Sequence, residues 1–119
     1  AMAAAPAEPD WIQQACRTLT VRQFCREAAG ALQRCSRESG GRRDACQPEG
    51  HRFEVCANEA MPEVIRAIMA SASRRCPAEV ASFQRCARER GSEELCEAED
   101  LAALACGARA IAAPAQAAQ

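Results

Sequence analysis

Nine of the 119 side chains are cysteines: Cys16, Cys25, Cys35, Cys46, Cys56, Cys76, Cys86, Cys96 and Cys106. Thiols can hold a metal, act as nucleophiles, exchange electrons or cross-link, and their spacing separates these uses. Structural zinc sites set two ligands a few residues apart, as in C-x2-C. Here no two cysteines are closer than nine positions, and His51 is the single histidine. A dithiol redox enzyme needs a proximal reactive pair such as C-x-x-C. Cys76-Pro77 supplies the proline of such a motif but not the second thiol. Copper transfer calls for adjacent cysteines, which are absent, and a thiol hydrolase needs a His/Asp partner set that one histidine does not provide. No catalytic residue, metal ligand or cofactor site is therefore assigned, and cross-linking is the use that remains.

The composition asks for cross-links. The chain has three Phe, one Trp and no Tyr. Alanine dominates the apolar residues and buries little area at roughly 25 cal/mol per Å². Small domains with thin cores are commonly held by disulfides, which persist in oxidising compartments. The formal net charge is −1, with acidic and basic side chains interspersed, which gives no basic footprint for nucleic acid. No apolar run approaches the ~20 residues of a membrane span. No basic residue precedes Arg17, so the first residues read as neither a secretory signal nor an arginine-rich mitochondrial presequence.

The cysteines form a ruler. Cys25 and Cys35, Cys46 and Cys56, Cys76 and Cys86, and Cys96 and Cys106 are all C-x9-C pairs. The hinge between the first two pairs is "SRESGGRRDA", and between the last two "ARERGSEEL". "GALQRCSRESGG" reads against "ASFQRCARERGS", so one unit occurs twice. The segments between paired cysteines are rich in Ala, Glu, Arg and Gln, which favour helix. Gly40-Gly41 and Gly91 break the pattern at the hinges. Pro77 suits the first turn of a helix, and Asp44 and Ser92 suit helix starts.

Ten helical residues span roughly 15 Å, leaving paired cysteines near one face. Folding the chain back at each hinge sets Cys35 against Cys46 and Cys25 against Cys56, then Cys86 against Cys96 and Cys76 against Cys106. The expected fold is all-α, two disulfide-clamped antiparallel helical hairpins with flexible termini. The expected divisions are an N-terminal segment (1–19), a first hairpin (20–60), a helical connector (61–75), a second hairpin (76–110) and a C-terminal tail (111–119). Ala28, Ala29, Ala31, Ala102, Ala103 and Ala105 are expected to allow close approach of the clamped helices. Leu32, Phe53, Phe83, Leu95, Leu101 and Leu104 are then left to seal hairpin edges or dock the units. The connector is expected to continue the second helix beyond Cys56, with Pro62 a place for it to break; it carries Val64, Ile65, Ile68 and Met69 at helical spacing, suited to a packed face or a docking face. Cys16 lies outside both units and reads as a free thiol; an intermolecular bridge or a lipid-modified thiol are the other readings.

Twin C-x9-C hairpins resemble the coiled-coil-helix-coiled-coil-helix (CHCH) family, over residues 25–106. "CQPEGHRFEVC", "RRCPAEVASFQRC" and "CEAEDLAALAC" look like segments of the double-CHCH accessory subunits of mitochondrial respiratory complex I. Cys16 and a longer first hinge depart from that pattern. The resemblance implies entry into the mitochondrial intermembrane space without a presequence, with transient oxidation by the oxidative import machinery. It implies a non-catalytic subunit without cofactor, peripheral on the inner membrane, whose partners are complex I subunits on the intermembrane-space face of the membrane arm. A soluble intermembrane-space assembly factor, or a CHCH subunit of another mitochondrial complex, is the alternative.

Overall fold

The computed structural model describes residues 10–117, without the side chains of residues 43 and 114–117. The described chain is all-α. Its helices are α1 (Trp11–Leu19), α2 (Arg26–Glu38), α3 (Gln47–Arg75), α4 (Pro77–Arg90) and α5 (Glu97–Ala117). A π turn at Thr20–Phe24 joins α1 to α2, and 3-10 turns at Arg43–Cys46 and Glu93–Leu95 close the two hinges. Gly40, Gly41 and Gly91 have φ of 69°, 84° and 75°, a left-handed conformation that other residues enter at a cost. The Gly91 N–H donates to the Ala87 carbonyl and ends α4. Pro77 is the first residue of α4, where its missing N–H costs nothing. Ser92 accepts from the Glu94 N–H at 3.2 Å, but this opens the 3-10 turn, and Asp44 likewise lies in a 3-10 turn ahead of α3.

The connector continues the second helix, as expected, and the break at Pro62 does not occur. α3 runs from Gln47 through Pro62 to Arg75 without a break. Pro62 and Asn58 are both exposed, so the carbonyl that the proline leaves without a helical donor is open to water. The first half of α3 pairs with α2 and the second half with α5, while α2 makes at most marginal contact with α4 or α5. The result is two arms around one long helix, with extents of 55 × 44 × 25 Å.

The core lies where the arms meet. Ala15 and Leu19 of α1, Val64 and Ile68 of α3, and Ala108 and Ala112 of α5 are buried together. Trp11, Ile12, Phe24, Leu104 and Ile111 pack around them. Val64 and Ile68 are fully buried, contributing about 1.5–3 kcal/mol each. Two expectations about the termini are corrected by this packing. Residues 11–19 of the N-terminal segment form a helix, capped by the Asp10 side chain accepting from the Gln13 N–H at 3.0 Å. The expected tail from Ile111 continues α5 to Ala117, because Ile111 and Ala112 have the α1–α3 core to cover. Residues 1–9 and 118–119, also expected as tail, lie outside the described residues.

The alanine expectation holds at only two positions. Ala28 and Ala103 are buried; Ala29, Ala31 and Ala105 are half-buried, and Ala102 is exposed. Bridged Cα atoms lie 5.9–6.2 Å apart. On helices of about 2.3 Å radius, directly facing Cα atoms at that distance leave the axes about 10 Å apart. Such a separation does not demand small neighbours. Leu32, Phe53, Phe83 and Leu104 are half-buried, whereas Leu95 and Leu101 point to solvent.

The closest approach is elsewhere, between α5 and α3. A Cβ added to Gly107 would fall 2.7 Å from both the Ala72 nitrogen and the Ile68 oxygen. The buried Ser71 hydroxyl donates to the Gly107 carbonyl at 2.9 Å across the same contact. Gly107→Ala is expected to destabilise the oxidised protein by about 2 kcal/mol or more, since the obstructing atoms are backbone. Gly50→Ala, in α3 with no heavy atom within 4 Å of its Cβ, should instead stabilise by about 0.5–1 kcal/mol. Urea unfolding with the bridges intact measures both, and equal effects of the two substitutions would contradict the close contact.

Candidate functional site

Four bridges join Cys25 to Cys56, Cys35 to Cys46, Cys76 to Cys106 and Cys86 to Cys96. The local geometry repeats. Cys25, Cys46, Cys76 and Cys96 share φ between −117° and −129° and ψ between 28° and 55°, and each caps the helix that follows. Each C-x9-C pair thus has one member at the helix start and the other within the helix. Every bridge ties the start of one helix to the interior of its partner. The cap cysteines are 0–6% exposed.

Cys25, Cys46 and Cys76 make no side-chain capping hydrogen bond; their sulfurs are in bridges. A carboxylate stands three residues after Cys46, Cys76 and Cys96: Glu49, Glu79 and Glu99. That is the position of the acidic member of a capping box, and the helix N-terminus favours negative charge there. The words "CQPE", "CPAE" and "CEAE" carried this signal in the sequence. The same arrangement places Glu79 with Cys76 and Cys106, and Glu99 with Cys86 and Cys96, with candidate ligand atoms within 4.8 Å. Thiolates bind metals; with both sulfurs bridged, each group offers one carboxylate. His51 is exposed on α3.

Cys16 is outside the bridges and half-buried against the α1–α3–α5 core. Burial pushes its thiol above the usual range, and the Asp10 carboxylate adds to the rise. The thiolate is the reactive form, so Cys16 is less reactive at neutral pH than an ordinary free thiol.

Two surfaces are held out by this frame. On α3, Val64 and Ile68 are buried while Met61, Ile65 and Met69, one turn apart, are 42%, 43% and 54% exposed. The helix therefore has both a packed face and an apolar face open to solvent. On the first arm an open groove of about 970 Å³ runs along α2, its edges set by Arg22, Arg26, Arg34 and Arg52. Charges interspersed along the chain are thus gathered by the fold. Among the described residues no helix is long and apolar enough to cross a membrane.

Comparison with known proteins gives no match: no family model, no curated protein and no solved structure corresponds to the chain.

The bridges close loops of unequal length. Cys25–Cys56 spans 31 residues of sequence and Cys35–Cys46 spans 11. Loop entropy makes the longer one more stabilising by about 0.9 kcal/mol. Replacing Cys25 and Cys56 with serine should lower unfolding free energy by that much more than replacing Cys35 and Cys46, as read from denaturant melts. For Cys16, iodoacetamide alkylation of the native protein should be slow at neutral pH. The rate should rise with pH along a curve displaced above that of the denatured chain. Asp10→Asn keeps a capping side chain, removes the charge and should shift the curve down part of the way; an unshifted native curve would contradict the environment described.

Proposed function

We propose that the chain is a non-catalytic structural accessory subunit of mitochondrial respiratory complex I, of the alpha subcomplex subunit 8 type. It sits on the intermembrane-space side, peripheral to the inner membrane, and braces the membrane arm. The observation that carries this reading is the exposed apolar row Met61, Ile65 and Met69, which adjoins the buried face of a helix whose partners are disulfide-bridged. An apolar row on a frame that cannot collapse over it is suited to covering by another protein. A pre-ordered surface loses little conformational freedom on docking. The twin C-x9-C pattern and its resemblance to the CHCH family support the compartment and the oxidative import route. Quinone chemistry, electron transfer and proton pumping belong, on this reading, to neighbouring subunits.

Native electrophoresis of mitochondria tests the proposal against the alternative of an assembly factor or a subunit of a different complex. The chain should migrate stoichiometrically with assembled complex I. A chain found mainly free, or with another assembly, would overturn the reading. Ile65→Arg should fold and oxidise normally, since Ile65 is exposed, yet lose incorporation. Cys25→Ser and Cys35→Ser should both lower the amount of assembled complex while NADH-to-quinone turnover per complex stays normal. Full assembly with reduced turnover per complex would point instead to a chemical role for these cysteines.

A further inference from the structure

The arginine-edged groove on the first arm has a construction that the bridges and the core do not explain. Arg22, Arg26, Gly30 and Arg34 follow one another at four-residue intervals, and Arg52 of α3 faces them across the opening. Glu27 is the single carboxylate on the lining. Among the described residues the one ion pair is Arg66 with Glu63, on another part of α3, so none of the four groove guanidiniums is neutralised internally. Ala29, Gly30 and Ala31 add only small side chains to the lining. Gly30 lies inside α2, where helix propensity disfavours it. The Arg34 guanidinium lies over it, with Nη1 3.4 Å from where a Cβ would stand.

We infer that this groove receives a carboxylate-rich segment of a partner protein, with Arg22, Arg26, Arg34 and Arg52 pairing its acidic side chains and the small side chains at Ala29, Gly30 and Ala31 leaving room for its backbone. Four guanidiniums without internal partners call for an anionic occupant, and each can hold a carboxylate through two parallel hydrogen bonds. Within α2 the arginine row from Arg26 to Arg34 is about 12 Å long at 1.5 Å per residue, and Arg22 of the preceding π turn extends it. That matches about four residues of extended chain at about 3.3 Å each, and is longer than a single phosphate. The lining has no aromatic ring to stack a nucleobase. The inference goes beyond the docking of the apolar row on α3 and rests on the proposed role only in expecting a protein partner.

The test uses the full-length oxidised protein and a short fluorescein-labelled peptide of alternating glutamate and alanine. Fluorescence anisotropy at low ionic strength should show binding that weakens with salt, and amide shifts should concentrate on residues 21–34 and Arg52. The double reversal Arg26→Glu with Arg34→Glu should weaken binding by about tenfold or more, with helicity and all four bridges retained. Gly30→Leu alters no charge but adds bulk to the lining beneath Arg34, and should also weaken binding; wild-type affinity in that variant would reduce the groove to a charged surface and overturn the inference. Shifts spread equally over Arg74, Arg75 and Arg88 would overturn it too. So would stronger binding to phosphatidylcholine vesicles containing phosphatidylglycerol, to a phosphorylated peptide, or to a second copy of the chain. Ile65→Arg separates the two proposals, because it should lose incorporation into the complex while binding the peptide normally.

Discussion

The position of each bridge, from the first residue before one helix to the interior of its antiparallel partner, is the constraint on which the rest depends. A bond at a helix start fixes where that helix begins as well as what it lies against. Two such bonds per hairpin, one near the hinge and one at the open end, fix register and length together. The thin composition then becomes workable. The helices of each arm need not be held by a wide apolar seam, and large side chains are left for the one place without a bridge, the junction of α1, α3 and α5. There Gly107 and Ala72 bring two backbones together, and Arg109 lies over the Trp11 ring at 5.8 Å.

This division of labour accounts for the two-arm shape. A chain that relied on burial alone would gain by folding its arms onto each other and covering Met61, Ile65 and Met69. With four covalent clamps that gain is not required, and α2 stays clear of α4 and α5. Surfaces that a compact domain would bury or neutralise remain open: an apolar row on α3 and an arginine groove on α2. All fifteen basic residues are arginine. Guanidinium is more weakly hydrated than ammonium and recognises carboxylates by shape, which suits positions where charge is to be buried against a partner.

Most of the architecture was legible because the cysteines are evenly spaced and glycines mark the hinges. A repeat of fixed period with breakers between its halves leaves few ways to fold. What escaped was non-periodic or depended on distant partners. The helix at Trp11–Leu19 has Asp10 as a cap and apolar Ile12, Ala15 and Leu19 at helical spacing, yet its stability comes from α5, far away in sequence. The same holds for Ile111 and Ala112, whose helix looked like a tail because alanine and proline dominate its neighbourhood. The cysteine-capped starts were readable in principle from Glu49, Glu79 and Glu99, but a cysteine in place of serine or threonine hides the capping pattern. The groove was hidden by averaging: seven arginines and two glutamates lie between Arg17 and Arg43, while five acidic residues and no arginine lie between Glu93 and Asp100, so the net charge of −1 shows neither.

That charge division bears on how the frame is used. The basic arm carries the groove, and the acidic stretch forms the hinge and helix start of the other arm. If both arms met partners through burial alone, their charge would be immaterial and apolar rows would be expected on each. Instead the apolar row lies on α3 between the arms, and the arms differ in sign. Apolar contact is non-directional and sets how strongly surfaces adhere, whereas charge complementarity sets orientation and excludes wrong partners. A chain acting as the brace proposed above would need both, because adhesion at its centre alone would leave the arms free to rotate about the contact. On that reading, opposite charge on the two arms, held apart by the continuous α3, would restrict docking to one orientation.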